Sequence, residues 1–280
     1  MSYKTILAHV DESTHVDARM EIAANIAVTE NAHLIGVATT GVSRFFYAAA
    51  ASDIDAPAVI DSYLEMVRQR AEGALKKFEN IARKIGVASY EIRLADDDAA
   101  GGISLQARYC DLAVLGQYDP EESSSSINSD LPEYVVMNSG CPVLVVPHAG
   151  SFKSVGERVL IAWNASMEAR RAVHNAIPLL KRAKVVEVAV FNPASQPDAH
   201  GQQPGADIAL YLARHDIKVD VIQQETEGDI GNALLSLATN LTSDLLVMGC
   251  YGHSRFREIL LGGATRTVLE SMTIPVLMSH

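Results

Sequence analysis

Several absences narrow the reading before any motif is considered. The 280-residue chain has three cysteines, Cys110, Cys141 and Cys250. They show no metal-ligand spacing and no disulfide framework, so neither zinc nor disulfides organise the fold. Cys110 and Cys141 read as small buried hydrophobes. Cys250 falls in a glycine-rich stretch, where exposure and a redox role stay open. Positive charge is also short: 23 Lys and Arg stand against 34 Asp and Glu, for a net charge of -11. That argues against nonspecific binding to nucleic acid or to an anionic membrane. A small anionic ligand is not excluded, because a local cradle of amides can act against the global field. No run of 18 uncharged apolar residues occurs, so no bilayer-spanning helix is expected. The start, MSYKTILAHVDES, places charges where a signal peptide needs an apolar core, and a cytoplasmic location is expected.

What the chain does have is apolar content, 48% of residues against 20% charged. That is enough for one large or two ordinary domains. It also repeats itself. ILAHVDES (6–13) resembles LIAWNAS (160–166), DLAVLG (111–116) resembles DLLVMG (244–249), and CPVLVVP (141–147) resembles IPVLMSH (274–280). The order is the same in each half, which points to duplication. Each half alternates short apolar runs with helical patterns, as in a parallel sheet covered by helices. Strands are expected at 5–10, 33–38, 89–93, 112–115 and 143–146, then at 159–162, 185–190, 219–223, 245–248 and 276–278. Helices are expected at 13–30, 57–85, 102–110 and 127–138, then at 167–180, 206–215, 230–240 and 265–270. The polar stretch His148 to Gly156 divides the copies into domains at 1–149 and 156–280.

Ligands of open α/β sheets gather at the carboxyl ends of the strands. MGCYGHSRFREILLGGATRT (248–267) sits at such an end. Glycine lets successive backbone N–H groups point inward, and the helix expected after Gly263 would add its free first-turn N–H groups. Thr265 could donate a hydroxyl or cap that helix. The loop is neither a Walker A sequence nor a dinucleotide fingerprint. Its bland alternative is a tight turn with a close helix–strand contact.

Gly249, Gly252, Gly262 and the small residue 263 resemble, in spacing, the nucleotide motif of the universal stress protein family. RFREILLGGATRTVLESMTIPVLMSH (255–280) resembles the end of that family's domain, and the likeness covers both halves. The resemblance implies two tandem Rossmann-like α/β domains, each an open five-stranded parallel sheet in order 3-2-1-4-5. It implies that they pair through their final strands as an intrachain pseudo-dimer. It also implies a stress-response regulator with ATP in the second domain, with Mg2+ as an optional companion. Adenine and ribose would lie near Ala162, Trp163 and Asn164, with a backbone contact near Phe191. The triphosphate would meet Gly249, Gly252, His253, Gly262 and Gly263, and Met248, Ser254, Arg255, Ala264 and Thr265 complete the candidate set. Two positions depart from the family: Asn164 stands where an acid is usual, and Gly263 where Ser or Thr is usual. One lost charge-assisted hydrogen bond costs about 1.5–3 kcal/mol, or roughly tenfold in affinity.

The first copy is a control. Its GQYDPEESSSSINSDLPE (116–133) puts Asp119 at the place of Gly252, Ser129 at Gly262 and Asp130 at Gly263. Together with Glu121 and Glu122, these acids would repel a phosphate. Asp11 keeps the acidic identity at the first strand's end but has no cradle, so only the second copy is expected to hold nucleotide. No compact hydrolytic signature is present. Asp229, Glu225 and Glu227 are the acids that could face the pocket in a slow ATPase. His9 reads as a core residue and His174 as a solvated one. The remaining expectations are a regulatory protein partner, a homodimer, or a scaffold role without nucleotide.

Overall fold

The computed structural model describes residues 2–42, 57–122, 130–152, 154–195, 203–251 and 263–280. Two compact units are present, 2–141 and 142–280.

In the N-terminal unit the order is β1 (Thr5–His9), α1 (Val16–Glu30), β2 (His33–Thr39), α2 (Pro57–Ile85), β3 (Tyr90–Ala95), α3 (Ala99–Ala107), β4 (Leu112–Gly116) and α4 (Leu131–Ser139). The strands run parallel in the order β3-β2-β1-β4. Ile6, Leu7, Val114 and Leu115 are fully buried because helices cover both faces. Each such side chain contributes roughly 1.5–3 kcal/mol of burial. β3 departs from the expected double burial: most of its residues are half-exposed, since it is an edge strand.

The C-terminal unit begins with β5 (Val143–Val146). It continues with β6 (Arg158–Ala162), α5 (Met167–Leu180), β7 (Val185–Phe191), α6 (Ala206–Ala213), β8 (Asp220–Gln224), α7 (Ile230–Asn240), β9 (Leu245–Gly249), α8 (Ala264–Ser271) and β10 (Val276–Ser279). Its strand order is β5-β10-β9-β6-β7-β8. The last five strands reproduce the expected 3-2-1-4-5 arrangement of one copy and are parallel. β5 pairs antiparallel with β10, Leu144 facing Leu277, so the two strands that the repeat aligns lie side by side. β8 is an exposed edge like β3.

Local chemistry explains where elements start. Helix α1 begins at Val16 rather than Ser13, because the Ser13 N–H and hydroxyl both donate to Asp11 Oδ1, at 3.1 and 2.6 Å. α3 starts at Ala99, earlier than expected, because Asp98 caps it by accepting from the Gly101 N–H at 2.9 Å. α4 is helical from Leu131; the preceding residues of the expected helix, 127–129, lie outside the described residues.

An aspartate opens the aligned strands β4 and β9, and each holds the start of its neighbour. Asp111 Oδ2 accepts from the Lys4 and Thr5 N–H groups at 2.6 and 2.9 Å. Asp244 accepts from the N–H groups of Gly156, Glu157 and Arg158 and from the Ser154 hydroxyl, at 2.8–3.1 Å. No helix among the described residues is long and apolar enough to cross a membrane.

Candidate functional site

The carboxyl ends of β6, β7 and β9 define the site in the C-terminal unit. β6 lies beside both β7 and β9, with Val159 opposite Val185's neighbour Val186 and opposite Leu245. After Ala162 the Trp163 N–H donates to the Ala189 carbonyl at 2.9 Å, extending the strand by one residue. Trp163 is half-buried and Asn164 exposed. Asn164 Oδ1 accepts from the Ser166 N–H at 3.2 Å, Ala165 takes a left-handed φ of 60°, and Ser166 caps α5. This is an Asx turn that hands the strand to the helix.

At the end of β7, Phe191 is half-buried opposite Gln224. Asn192, at φ 48°, ties the neighbouring loop: its amide donates to the Thr226 carbonyl at 2.9 Å, and its Oδ1 accepts from the Thr226 N–H at 2.8 Å. Sequence reasoning missed Asn192, although an Asn just past a strand is a known left-handed residue.

At the end of β9, Met248 is buried, so its side chain belongs to the core. Gly249 has a packing reason to be glycine. A Cβ there would stand 2.5 Å from the Ala169 nitrogen and 2.8 Å from the Glu168 carbonyl carbon, both backbone atoms at the start of α5. The close helix–strand contact therefore accounts for this glycine. Cys250 is fully buried and its N–H donates to the Ser279 carbonyl at 2.9 Å, which removes the exposed thiol that a redox role needs. Tyr251 turns left-handed at φ 56°.

Gly263 is the N-cap of α8, extended at φ -63° and ψ 157°, and as glycine it offers the helix end no side-chain acceptor. Ala264 follows as the first helical residue. Thr265 does not cap the helix. It is buried, and its hydroxyl accepts from the Tyr251 N–H at 3.5 Å, a long contact that ties the helix start to the end of β9. Helix α7 lies against α8 through Gly231, where a Cβ would come within 2.7 Å of Thr267 Cβ. Gly252, His253, Ser254, Arg255 and Gly262 lie outside the described residues.

The acids considered for catalysis follow β8. Asp229 is the N-cap of α7, accepting from the Asn232 N–H at 2.8 Å, and Glu225 and Glu227 are exposed. His174 is not simply solvated. Its Nδ1 is 3.1 Å from the Tyr211 hydroxyl, and burial, helped by Arg170 and His215, lowers its pKa.

The first copy makes a different use of the same strand end. Asp11 Oδ1 accepts from Arg19 Nη2 at 2.6 Å, with the two side chains 3% and 2% exposed. Burial alone would raise the Asp11 carboxyl. The Arg19 guanidinium, with His9 and Ser13, outweighs burial and holds it well below the usual carboxylate range. His9 is fully buried, as expected, and burial lowers its pKa to about 4, with Asp11 opposing and Arg19 reinforcing the shift. By the repeat alignment, Arg19 corresponds to Ala172, fully buried in α5. A cavity of about 150 Å³ opens beside Asp11, lined by the ends of β1 and β2 and by Val67, Arg70 and Ala71 of α2.

These features define a doubly wound α/β domain with its candidate ligand site at the strand ends beside a helix N-terminus. Residues 156–280 match the model of the Universal stress protein family. A curated relative is Universal stress protein Slr1230 of Synechocystis sp., 27% identical over 147 residues. The match covers 52% of this chain, which spans about half, 49%, of that relative's length. Among solved structures, a universal stress protein from Archaeoglobus fulgidus aligns over 98% of this chain and 95% of its own, with a TM-score of 0.73 and 18% identity. A putative universal stress protein from Pseudomonas aeruginosa aligns over 99% and 93%, with a TM-score of 0.60 and 17% identity. At these identities the two structures speak for the fold.

Proposed function

We propose that the domain 156–280 binds an adenine nucleotide, with ATP the leading ligand, and that binding regulates a stress response through a protein partner. The observation that carries this reading is the start of α8. Gly263, the N-cap, offers its first-turn N–H groups no side-chain acceptor, and Thr265 ties the helix start to the end of β9, next to the strand that presents Asn164. A helix N-terminus favours anions through its N–H groups and its dipole. The base and ribose would sit by Ala162, Trp163, Asn164 and Phe191. The phosphates would sit by Gly252, His253, Ser254, Arg255, Gly262, Gly263 and Ala264, with Mg2+ as an optional companion. The packing role of Gly249 favours the alternative, a scaffold whose glycine loop is structural.

Function would follow from linkage: a ligand that binds one state stabilises that state by its binding free energy. A cytoplasmic location and a homodimer belong to the same proposal. Calorimetry with ATP up to millimolar concentration tests it, and the expected result is one site per chain, weakened by Gly263→Asp. No heat of binding overturns it in favour of the scaffold. Turnover above a protein-free control, lost on changing the loop, would establish the slow ATPase instead.

A further inference from the structure

The loops that follow β1 and β4 in the N-terminal unit bring together His15, Asp119 and Glu122. One ligand-type atom from each lies within 4.8 Å of the other two. His15 Nε2 stands 3.8 Å from Asp119 Oδ2. We propose that this imidazole and two carboxylates form a site for a divalent first-row transition metal, with Zn2+ as the reference ion.

The argument begins with the donor set. One imidazole and two carboxylates are three protein ligands with room for water in the fourth position, a zinc-type arrangement. Ligand atoms of a tetrahedral zinc at about 2.1 Å stand roughly 3.4 Å apart, so closure needs movements of about an ångström. The side chains can make them: His15 is 47% exposed and Asp119 17% exposed, which also leaves the ion a way in.

The carboxylates are held by groups outside the donor set. Thr14 donates its N–H and its hydroxyl to Glu122 at 3.1 Å, and the Glu121 N–H donates to Asp119 Oδ1 at 2.9 Å, leaving Oδ2 toward His15. Outer hydrogen bonds of this kind orient metal ligands. The repeat supplies the contrast. At the positions of His15, Asp119 and Glu122 the second copy has Glu168, Gly252 and Arg255. One ligand is lost there and another becomes a cation. Where the second copy has a loop suited to an anion, the first has the charges for a cation.

The inference is independent of nucleotide binding. Its test is calorimetry of the untagged full chain with Zn2+ at neutral pH, in a buffer that does not chelate. One equivalent should bind, weakened at least tenfold by His15→Ala and by Asp119→Asn, with far-UV circular dichroism unchanged. Mg2+ should bind more weakly than Zn2+, because it gains little from an imidazole. The proposal is overturned if no Zn2+ binds up to millimolar concentration. It is also overturned if His15→Ala leaves Zn2+ affinity unchanged, which would place the ion on other side chains.

Discussion

Changing Asp11 to Asn should cost the N-terminal unit far more than its size suggests. Asn keeps the acceptor that Ser13 uses, so the turn survives, but Arg19 is left with its charge buried and unpaired. Removing one member of a buried pair typically costs about 3–5 kcal/mol. Arg19→Met keeps an apolar stem and strands the Asp11 carboxylate instead, at a similar cost. The double variant removes both charges and approaches the second copy, where Asn164 turns the chain with no ion pair. It should lie within about 1–2 kcal/mol of the natural protein, because a neutral replacement of a buried pair is often tolerated. Urea unfolding at pH 7, followed by far-UV circular dichroism, measures all four corners of the cycle. At about 2–4 °C per kcal/mol, each single variant should also melt roughly 6–20 °C lower. Single variants costing under about 1 kcal/mol, or effects that simply add, would refute the buried-pair argument.

Three further outcomes are expected. Because the His9 pKa is lowered in the folded state from 6.5 to about 4, the unfolded chain binds the extra proton between those values. Stability is thus fully present above pH 6.5 and falls with acidification to about pH 4, by roughly 3 kcal/mol; the fall should flatten in His9→Ala, and an unchanged slope would count against the assignment. Gly249→Ala should destabilise by about 1–3 kcal/mol through overlap with the backbone of α5, read as a lower melting temperature; an unchanged melt with lost ATP binding would make this glycine a ligand residue instead. Asp229→Ala should cost about 1 kcal/mol as a lost helix cap, without altering ATP affinity in calorimetry; a loss of affinity with an unchanged melting temperature would make Asp229 a ligand residue instead.

The parallel layers were legible because uninterrupted apolar runs such as LLVM and VLIA have no other place than a covered sheet. The left-handed turn at Asn192 and the capping role of Asp229 were less so, because each depends on a partner amide that spacing does not reveal. The sequence placed an acid at the end of β1. That this acid is spent on Arg19, eight residues later, is a three-dimensional fact about which residues of α1 turn inward. Gly249 illustrates the limit from the other side. A glycine after a strand fits a phosphate loop and a helix contact equally well, and only the position of Ala169 separates them. The opening aspartates of DLAVLG and DLLVMG were visible as a repeated motif. Their work, holding the start of a strand distant in sequence, was not.

The antiparallel pair of β5 and β10 bears on how the gene for such a protein can be cut. Read as text, the chain is two tandem copies, and the natural scissors fall in the polar linker after Pro147. Read as matter, Val143–Val146 is bonded into the second half. A fragment divided at the linker would carry away a wholly apolar strand, VLVV, without β10, its antiparallel neighbour, while the other fragment would expose the bare edge of β10. Two sticky edges would replace one satisfied ladder. A division after Pro147 therefore breaks a ladder inside the C-terminal unit, so shuffling of this repeat must carry β5 and β10 together.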